Sequence, residues 1–364
     1  MTLARRVTIV GGGIIGLACA WRLARDGWRV TVLDGAPEAR EASWAAAGML
    51  APHHEAHDAG PLWRLGIDSL ARWPGFVEEL GIAPAAVDLR LAGGLLPVLD
   101  DSDAEMVDAR QRFLAAQGIP VRWLDARALR QQEPALAGHC RGALVLPGGQ
   151  VNPRLVCARL QEAASARGVT IRYHTPVTAI ADGLVRLADG GTVASDEVVL
   201  ASGAWTPGLA ALAGIALAGE PVKGQMLRLR APDGLLRHFV HHHQAYLVPR
   251  TGLGLVVGAT MVTTGFDRAD DPAAIDTLAA GARRLVPALA DAPIVEHWTG
   301  LRPRIAQGLP VIARVRPGLI IATGHFRNGV LLAPVTAEAV GCLAANKLAP
   351  CDLAAFSCPR ASPL

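Results

Sequence analysis

This 364-residue chain has no run of about eighteen apolar residues free of charge, which excludes a membrane-spanning helix. It also lacks a charged leader followed by an apolar segment, because strand pattern begins by residue 7, and the expectation is a cytoplasmic protein. Its six cysteines, at 19, 140, 157, 342, 351 and 358, form no C-x-x-C pair and are too sparse for a disulfide scaffold; they are expected to be reduced and mostly buried. A formal charge of +3 without a Lys/Arg run gives no footprint for nucleic acid or a membrane surface. Internal repeats and low-complexity segments are lacking as well. What is present, 51% hydrophobic and 18% charged residues, is the composition of a soluble globular protein long enough for two domains.

The most informative stretch is RVTIVGGGIIGLACAWRLARDGWRVTVLD, Arg6 to Asp34. Val7 to Val10 is the apolar, β-branched run of a buried parallel strand, and Gly11, Gly13 and Gly16 follow at G-x-G-x-x-G spacing. Gly11 permits the tight turn and Gly13 lets the backbone approach a pyrophosphate. Gly16 lets the next helix, read from Leu17 to Asp26, pack on the strand with its N-terminus toward the phosphates. Ala20 and Leu23 face the sheet, Gly27 ends the helix, and a second strand, Arg29 to Leu33, leads to Asp34. An acid there accepts hydrogen bonds from ribose hydroxyls and disfavours the 2′-phosphate of NADP. The register predicts a dinucleotide site and leaves FAD and NAD open, since both use this unit.

Along the rest of the chain the pattern is interleaved. EASWAAAGMLAP, Glu41 to Pro52, is rich in small residues and suits backbone pressed against a flat ligand. Helices are expected over Pro61 to Leu80, Asp103 to Gln117 and from Asn152-Pro153 to Gly168, with a strand at Ile171 to His174. DEVVLASGAW, Asp196 to Trp205, reads as another nucleotide-domain strand whose end, at Ala201 and Gly203, meets the cofactor. Short strands follow at Met226 to Arg230, Tyr246 to Val248 and Leu255 to Gly258, as in a separate antiparallel sheet, and Asp271-Pro272 starts a helix. Leu319 to Ala322 is a buried strand, and the turn from Gly324 to Gly329 carries His325, Arg327 and Asn328 ahead of a last helix. A helix N-terminus beside a flavin pyrimidine ring would stabilise the negative charge gained on reduction, which favours FAD. The fold class read from this is α/β, α+β overall: a Rossmann-like domain with a parallel sheet and a second domain on a mainly antiparallel sheet.

The motifs GGGIIG, AAAGMLAP, PVKGQM (Pro221 to Met226), YLVPR (Tyr246 to Arg250), VVGATM (Val256 to Met261), GLRP (Gly300 to Pro303) and GHFRNGVLLAP (Gly324 to Pro334) occur in this order. In this set, over nearly the whole chain, the sequence resembles the glycine oxidases of the D-amino-acid oxidase family, the type associated with making the thiazole of thiamine. The resemblance implies non-covalent FAD held by a discontinuous domain (1–85, 141–220 and 300–364) and a substrate domain (86–140 and 221–299). It places FAD contacts at Ile14, Ile15, Asp34, Gly35, Ala42, Ser43, Ala47, Gly48 and Met49, and at Val177 near the adenine. Around the isoalloxazine it places His325, Phe326, Arg327, Asn328, Gly329, Val330 and Leu331. Substrate contacts fall on Arg302, Arg327 and Tyr246, with Met49, Ala51 and Met261 as pocket walls. A guanidinium takes a carboxylate through two parallel hydrogen bonds, and Tyr246 adds a hydroxyl donor; the residues alone would also allow a surface ion pair for Arg302 and a core tyrosine at 246.

The implied reaction is hydride transfer from the α-carbon of a small amino acid to FAD, with reoxidation by O2. It needs no side chain as catalytic acid or base, and no metal. The resemblance further implies a homo-oligomer, tetramer or dimer, and a thiazole-forming partner. His241 to His243 look like a metal cluster, but neighbours on a strand face opposite ways, so a partly exposed strand is expected instead. No cysteine stands in the flavin turn, where relatives of the sarcosine-oxidase type attach FAD. Gln244, where some glycine oxidases have histidine, and RIAQG, Arg304 to Gly308, depart from the pattern and bear on substrate preference. A flavoenzyme for an N-substituted glycine or a D-amino acid, a dehydrogenase using a protein acceptor, and a subunit without turnover remain the alternatives.

Overall fold

The computed structural model describes residues 4–36, 41–56, 58–181 and 183–358. The β-branched run Arg6–Val10 is buried apart from its first residue, and it lies inside a six-stranded sheet. Across that sheet the order is Val311–Arg316, Leu319–Thr323, Glu197–Leu200, Arg6–Val10, Arg29–Leu33 and Thr170–Arg172. All neighbours are parallel except the edge hairpin of Val311–Arg316 with Leu319–Thr323. Helix Ile14–Arg25 packs between Pro153–Ala166 and Ala333–Ala344, and its Leu17, Trp21 and Leu23 enter the same core as Leu160 and Val335. The helix begins three residues before the expected Leu17, because Gly13 takes extended backbone as the N-cap. Asn152 and Asp271 cap the helices that follow them through their side chains, as their positions ahead of proline predict.

The second sheet has eight strands in the order Ile294–Ile305, Gly219–Leu229, Gly254–Gly258, Tyr246–Arg250, Phe239–His241, Gly94–Val98, Gly142–Leu146 and Arg122–Asp125. It is antiparallel but for the pairing of Phe239–His241 with Gly94–Val98. Helix Pro272–Leu285 lays Ile275, Leu278 and Leu285 against one face of this sheet. The mixed architecture is the expected fold class. Sheet membership differs from the expected division at two places. Gly142–Leu146 pairs with Gly94–Val98, and Ile294–Ile305 runs unbroken through position 300, so cuts at 141 and 300 would split the antiparallel sheet. A small three-stranded sheet, Val177–Ala181, Leu184–Leu187 and Thr192–Ala194, lies between Thr170–Arg172 and Glu197–Leu200 in the chain.

Candidate active site

The turns that follow the central parallel strands meet closely. Gly11 takes a φ of +115°, and a Cβ there would strike the Ala201 carbonyl; a Cβ at Gly16 would strike the carbonyl of Gly11. The Ile14 N–H donates to Ser43 Oγ at 2.9 Å, which ties the start of the helix to the small-residue segment. At the end of the second strand, Asp34 accepts the Gly12 N–H at Oδ2 (2.6 Å) and the Ala36 N–H at Oδ1 (2.8 Å). A carboxylate oxygen with one donor retains a second acceptor site, so Asp34 can still take a ribose hydroxyl.

These turns open on a cavity of about 1020 Å³, at the upper end of the range for small-molecule sites. Gly11, Gly13, Ile14, Ile15, Asp34 and Gly35 line it, as do Ala42, Ser43, Ala47, Gly48 and Met49. Val177 comes from the small sheet, Ala201 and Gly203 from the turn that follows the strand Glu197–Leu200, and His325 to Val330 from the last turn. Two expected cofactor residues lie outside the lining. Gly16 packs beneath Gly11, and Leu331 is a core residue whose carbonyl accepts from Ser69 Oγ at 2.6 Å and Trp73 Nε1 at 3.1 Å. Those two bonds anchor the flavin-type turn to the helix Pro61–Glu79.

The small-residue segment is held from behind. Trp298 Nε1 donates to the Ala45 carbonyl at 2.9 Å, and the buried Arg250 donates to the Ala47 carbonyl. Burial brings the Arg250 guanidinium down to about 10, against the pull of Asp88. In the last turn His325 is buried with Nε2 3.0 Å from Thr336 Oγ1, and desolvation pushes its imidazole down to about 3. It is a neutral hydrogen-bonding group at the base of that turn.

Arg302, Tyr246, Arg327, Met49, Ala51 and Met261 all line the cavity. Their placement follows from register. Arg302 lies opposite Val222 and Gly300 opposite Gly224; Gly258 lies opposite Met226 on one side and Tyr246 on the other. The Arg302 guanidinium lies over Gly224, where a Cβ would come within 2.5 Å of Cζ, and Nη1 donates to the Thr260 carbonyl at 3.1 Å. The Tyr246 ring lies over Gly258 in the same way, with its hydroxyl 3.7 Å from Met226 Sδ. Arg327 and Met261 stand at the mouth, Met261 57% exposed, so Met261 borders the entrance. Gly224, Gly258 and Thr260 were not singled out from sequence as site residues. A glycine inside an otherwise alternating strand marks a close approach, and that signal was available in PVKGQM and VVGATM.

The three adjacent histidines separate. The strand ends at His241, which lines the cavity, and the chain then bends, so the expected strand covers only the first of them. Buried His242 places Nε2 3.0 Å from Asp103 Oδ1, and exposed His243 places Nδ1 3.3 Å from the same oxygen. None of the six cysteines lines the cavity. No helix among the described residues is long and apolar enough to cross a membrane.

The cradle fits FAD. A glycine turn and helix N-terminus meet an acid at the adjacent strand end, and a long cavity runs from them to a second turn before a helix. Residues 6–343 match the DAO family, FAD dependent oxidoreductases. The glycine oxidase of Geobacillus kaustophilus (strain HTA426) is 37% identical over 370 residues, covering 99% of this chain and 98% of that protein. The crystal structure of glycine oxidase from Geobacillus kaustophilus aligns with a TM-score of 0.91 at 35% identity, over 99% of this chain and 100% of that one. The bifunctional protein ThiO/ThiG of Synechocystis sp. (strain ATCC 27184 / PCC 6803 / Kazusa) is 36% identical over 368 residues, which cover 97% of this chain and 54% of that protein. The crystal structure of iminodiacetate oxidase (IdaA) from Chelativorans sp. BNC1 aligns with a TM-score of 0.86 at 27% identity, over 97% of this chain and 99% of that one.

Proposed function

Because this chain belongs to the DAO family of FAD-dependent oxidoreductases and is an FAD-dependent amino-acid oxidase, we propose that it oxidatively deaminates glycine and similarly small amines. Amino acid, O2 and water give a 2-oxo acid (glyoxylate from glycine), ammonia and H2O2. The observation that carries this reading is the Arg302 guanidinium, held over Gly224 and within the cavity that Tyr246 and the flavin-type turn share. FAD, when bound, supplies the two-electron acceptor for the α-carbon hydride and returns the electrons to O2. The protein's own part is positional. Arg302 takes the substrate carboxylate as a fork, Tyr246 adds a hydroxyl, and Met49 and Ala51 restrict the space at the α-carbon. With the carboxylate fixed and the amine neutral, no side chain has to remove a proton from carbon. His325 holds the base of the flavin turn through Thr336 without adding charge.

The family resemblance supports a place in thiamine-thiazole formation, with the imine passed to a thiazole synthase. The Synechocystis relative carries both names, ThiO and ThiG, in one polypeptide. A cytoplasmic homo-oligomer, dimer or tetramer, belongs to the same reading. The second reading is an oxidase for an N-substituted glycine; the fold neighbour named iminodiacetate oxidase and the departure at Gln244 favour it. The test is product analysis in air with glycine, sarcosine and D-alanine. Glyoxylate, ammonia and H2O2 in equal amounts from glycine support the first reading. Turnover of sarcosine alone moves the assignment to the second.

A further inference from the structure

The methionine sulfur of this chain is gathered around the cavity. Of its five methionines, those at 49, 106, 226 and 261 all line it, and Met1 lies outside the described residues. None of the six cysteines does. Burial pushes the thiols of Cys19 and Cys157 up to about 12 and those of Cys140 and Cys351 up to about 11, so these four present little thiolate, the reactive form. The proposed oxidation of glycine makes H2O2 inside this cavity, and a thioether is oxidised to its sulfoxide by such an oxidant. That oxidation itself asks no more of Met261 than a place at the entrance.

The four thioethers differ in access. Met226 is 3% exposed with its Sδ 3.7 Å from the Tyr246 hydroxyl, and Met49 is half-buried in the strand Met49–Leu50. Met106 is 41% exposed on the helix Asp101–Ala116, and Met261, at 57%, is the most open of the four. The backbone on both sides of Met261 is fixed. The Thr260 N–H donates to the Gln225 carbonyl at 3.2 Å, and Val262 and Lys223 exchange backbone hydrogen bonds of 2.8 and 3.0 Å. The strand Gly219–Leu229 thus holds both neighbours of Met261, and the thioether cannot withdraw from the mouth without breaking those bonds. The neighbour on one side, Thr260, is also the residue whose carbonyl accepts from Arg302 Nη1. A change of polarity at 261 therefore falls one residue from the group that holds the carboxylate-binding guanidinium.

We propose that Met261 is a modification site: H2O2 from the enzyme's own turnover converts its thioether to the sulfoxide, and the modified enzyme binds substrate less well. This rests on the proposed oxidase reaction as the source of H2O2. In the step one oxygen of H2O2 forms the S–O bond, the O–O bond breaks and water leaves; sulfur loses two electrons and the peroxide gains them. The side chain becomes polar where it was apolar, and its new oxygen competes with a substrate carboxylate for guanidinium N–H groups at the mouth.

The experiment turns the holoenzyme over on glycine in air, with H2O2 measured, and takes samples for peptide mass and for KM. The expected result is one added oxygen at Met261 ahead of Met106 and Met49, with Met226 unmodified. KM should rise by about two- to tenfold, the worth of one hydrogen bond, at unchanged kcat. Catalase in the solution should prevent both changes, and methionine sulfoxide reductases for the two epimers should reverse both. In Met261→Leu, KM should hold at that variant's own starting value through the same exposure. Oxygen gained first at another methionine, or a KM unchanged once Met261 is fully modified, overturns the proposal. So does a rise in KM that the reductases leave in place or that M261L shares. Absence of H2O2 from glycine overturns the oxidase reading instead, and H2O2 added to the resting holoenzyme then tests Met261 by the same peptide mass.

Discussion

Gly224→Ala would place a methyl group where the Arg302 guanidinium now lies, within 2.5 Å of Cζ. Gly224 has ordinary strand backbone, paired with Gly300, so alanine can adopt its conformation and the guanidinium, the far end of a flexible chain, is what moves. Displacing it costs at least one of the two charge-assisted bonds to a substrate carboxylate. Such a bond contributes about 1.5–3 kcal/mol, which corresponds to about a 10- to 150-fold loss. The expectation is that kcat/KM for glycine falls by about that factor, chiefly through KM, while FAD content and the thermal midpoint stay near wild type. Oxygen uptake over a range of glycine concentrations gives KM, and the visible absorbance gives the FAD content. A G224A protein that is folded, FAD-loaded and unchanged in KM would refute the placement of the substrate carboxylate on Arg302.

Gly258→Ala should act on Tyr246 in the same way, since the new methyl would meet the phenol ring; a loss of about tenfold in kcat/KM with FAD retained is expected by the same assay, and none would contradict the role of Tyr246. Ser69→Ala removes one of the two donors on the buried Leu331 carbonyl; urea unfolding should show a loss of about 1 kcal/mol and FAD should dissociate more readily, whereas no change in either would show that the anchor is idle. His325, held near 3 in the folded protein against an ordinary 6.5, is protonated first in the unfolded chain. Its contribution to stability is therefore fully present above pH 6.5 and is lost as pH falls from there toward 3, by up to about 1.4 kcal/mol per pH unit. His53 and His241, both near 4, act in the same direction. Urea melts at pH 5 and pH 7 should show a smaller difference in His325→Asn than in wild type, and an equal difference would contradict the assignment.

Local sequence made the nucleotide half legible. Its signals are short-range: an apolar run, three glycines and an acid separated by a 12-residue helix, all within one strand–helix–strand unit. The last turn was legible for the same reason. The antiparallel half was less so, because membership of a sheet is decided by partners far away in the chain. Gly142–Leu146 looks locally like any buried strand, and only its pairing with Gly94–Val98 assigns it to the second sheet. Position 300 shows the same limit, since the boundary expected there falls inside Ile294–Ile305, which pairs with Gly219–Leu229 on both sides of it. In the candidate site, the side chains expected to touch substrate line the cavity, while the residues that register places against them, Gly224, Gly258 and Thr260, were not singled out. His241 opens a run of three histidines; the strand ends at it and the chain bends, so His242 and His243 meet Asp103 while all three line the cavity.

The most direct test of the account is the visible spectrum of the purified holoenzyme without oxygen, before and after glycine is added. The account predicts a yellow flavin band that bleaches with glycine and returns when air is admitted, with one H2O2 for each flavin reoxidised. A flavin band that glycine leaves untouched, at concentrations where the R302K variant and the wild type behave alike, would contradict the claim that Arg302 presents a small amino acid to FAD.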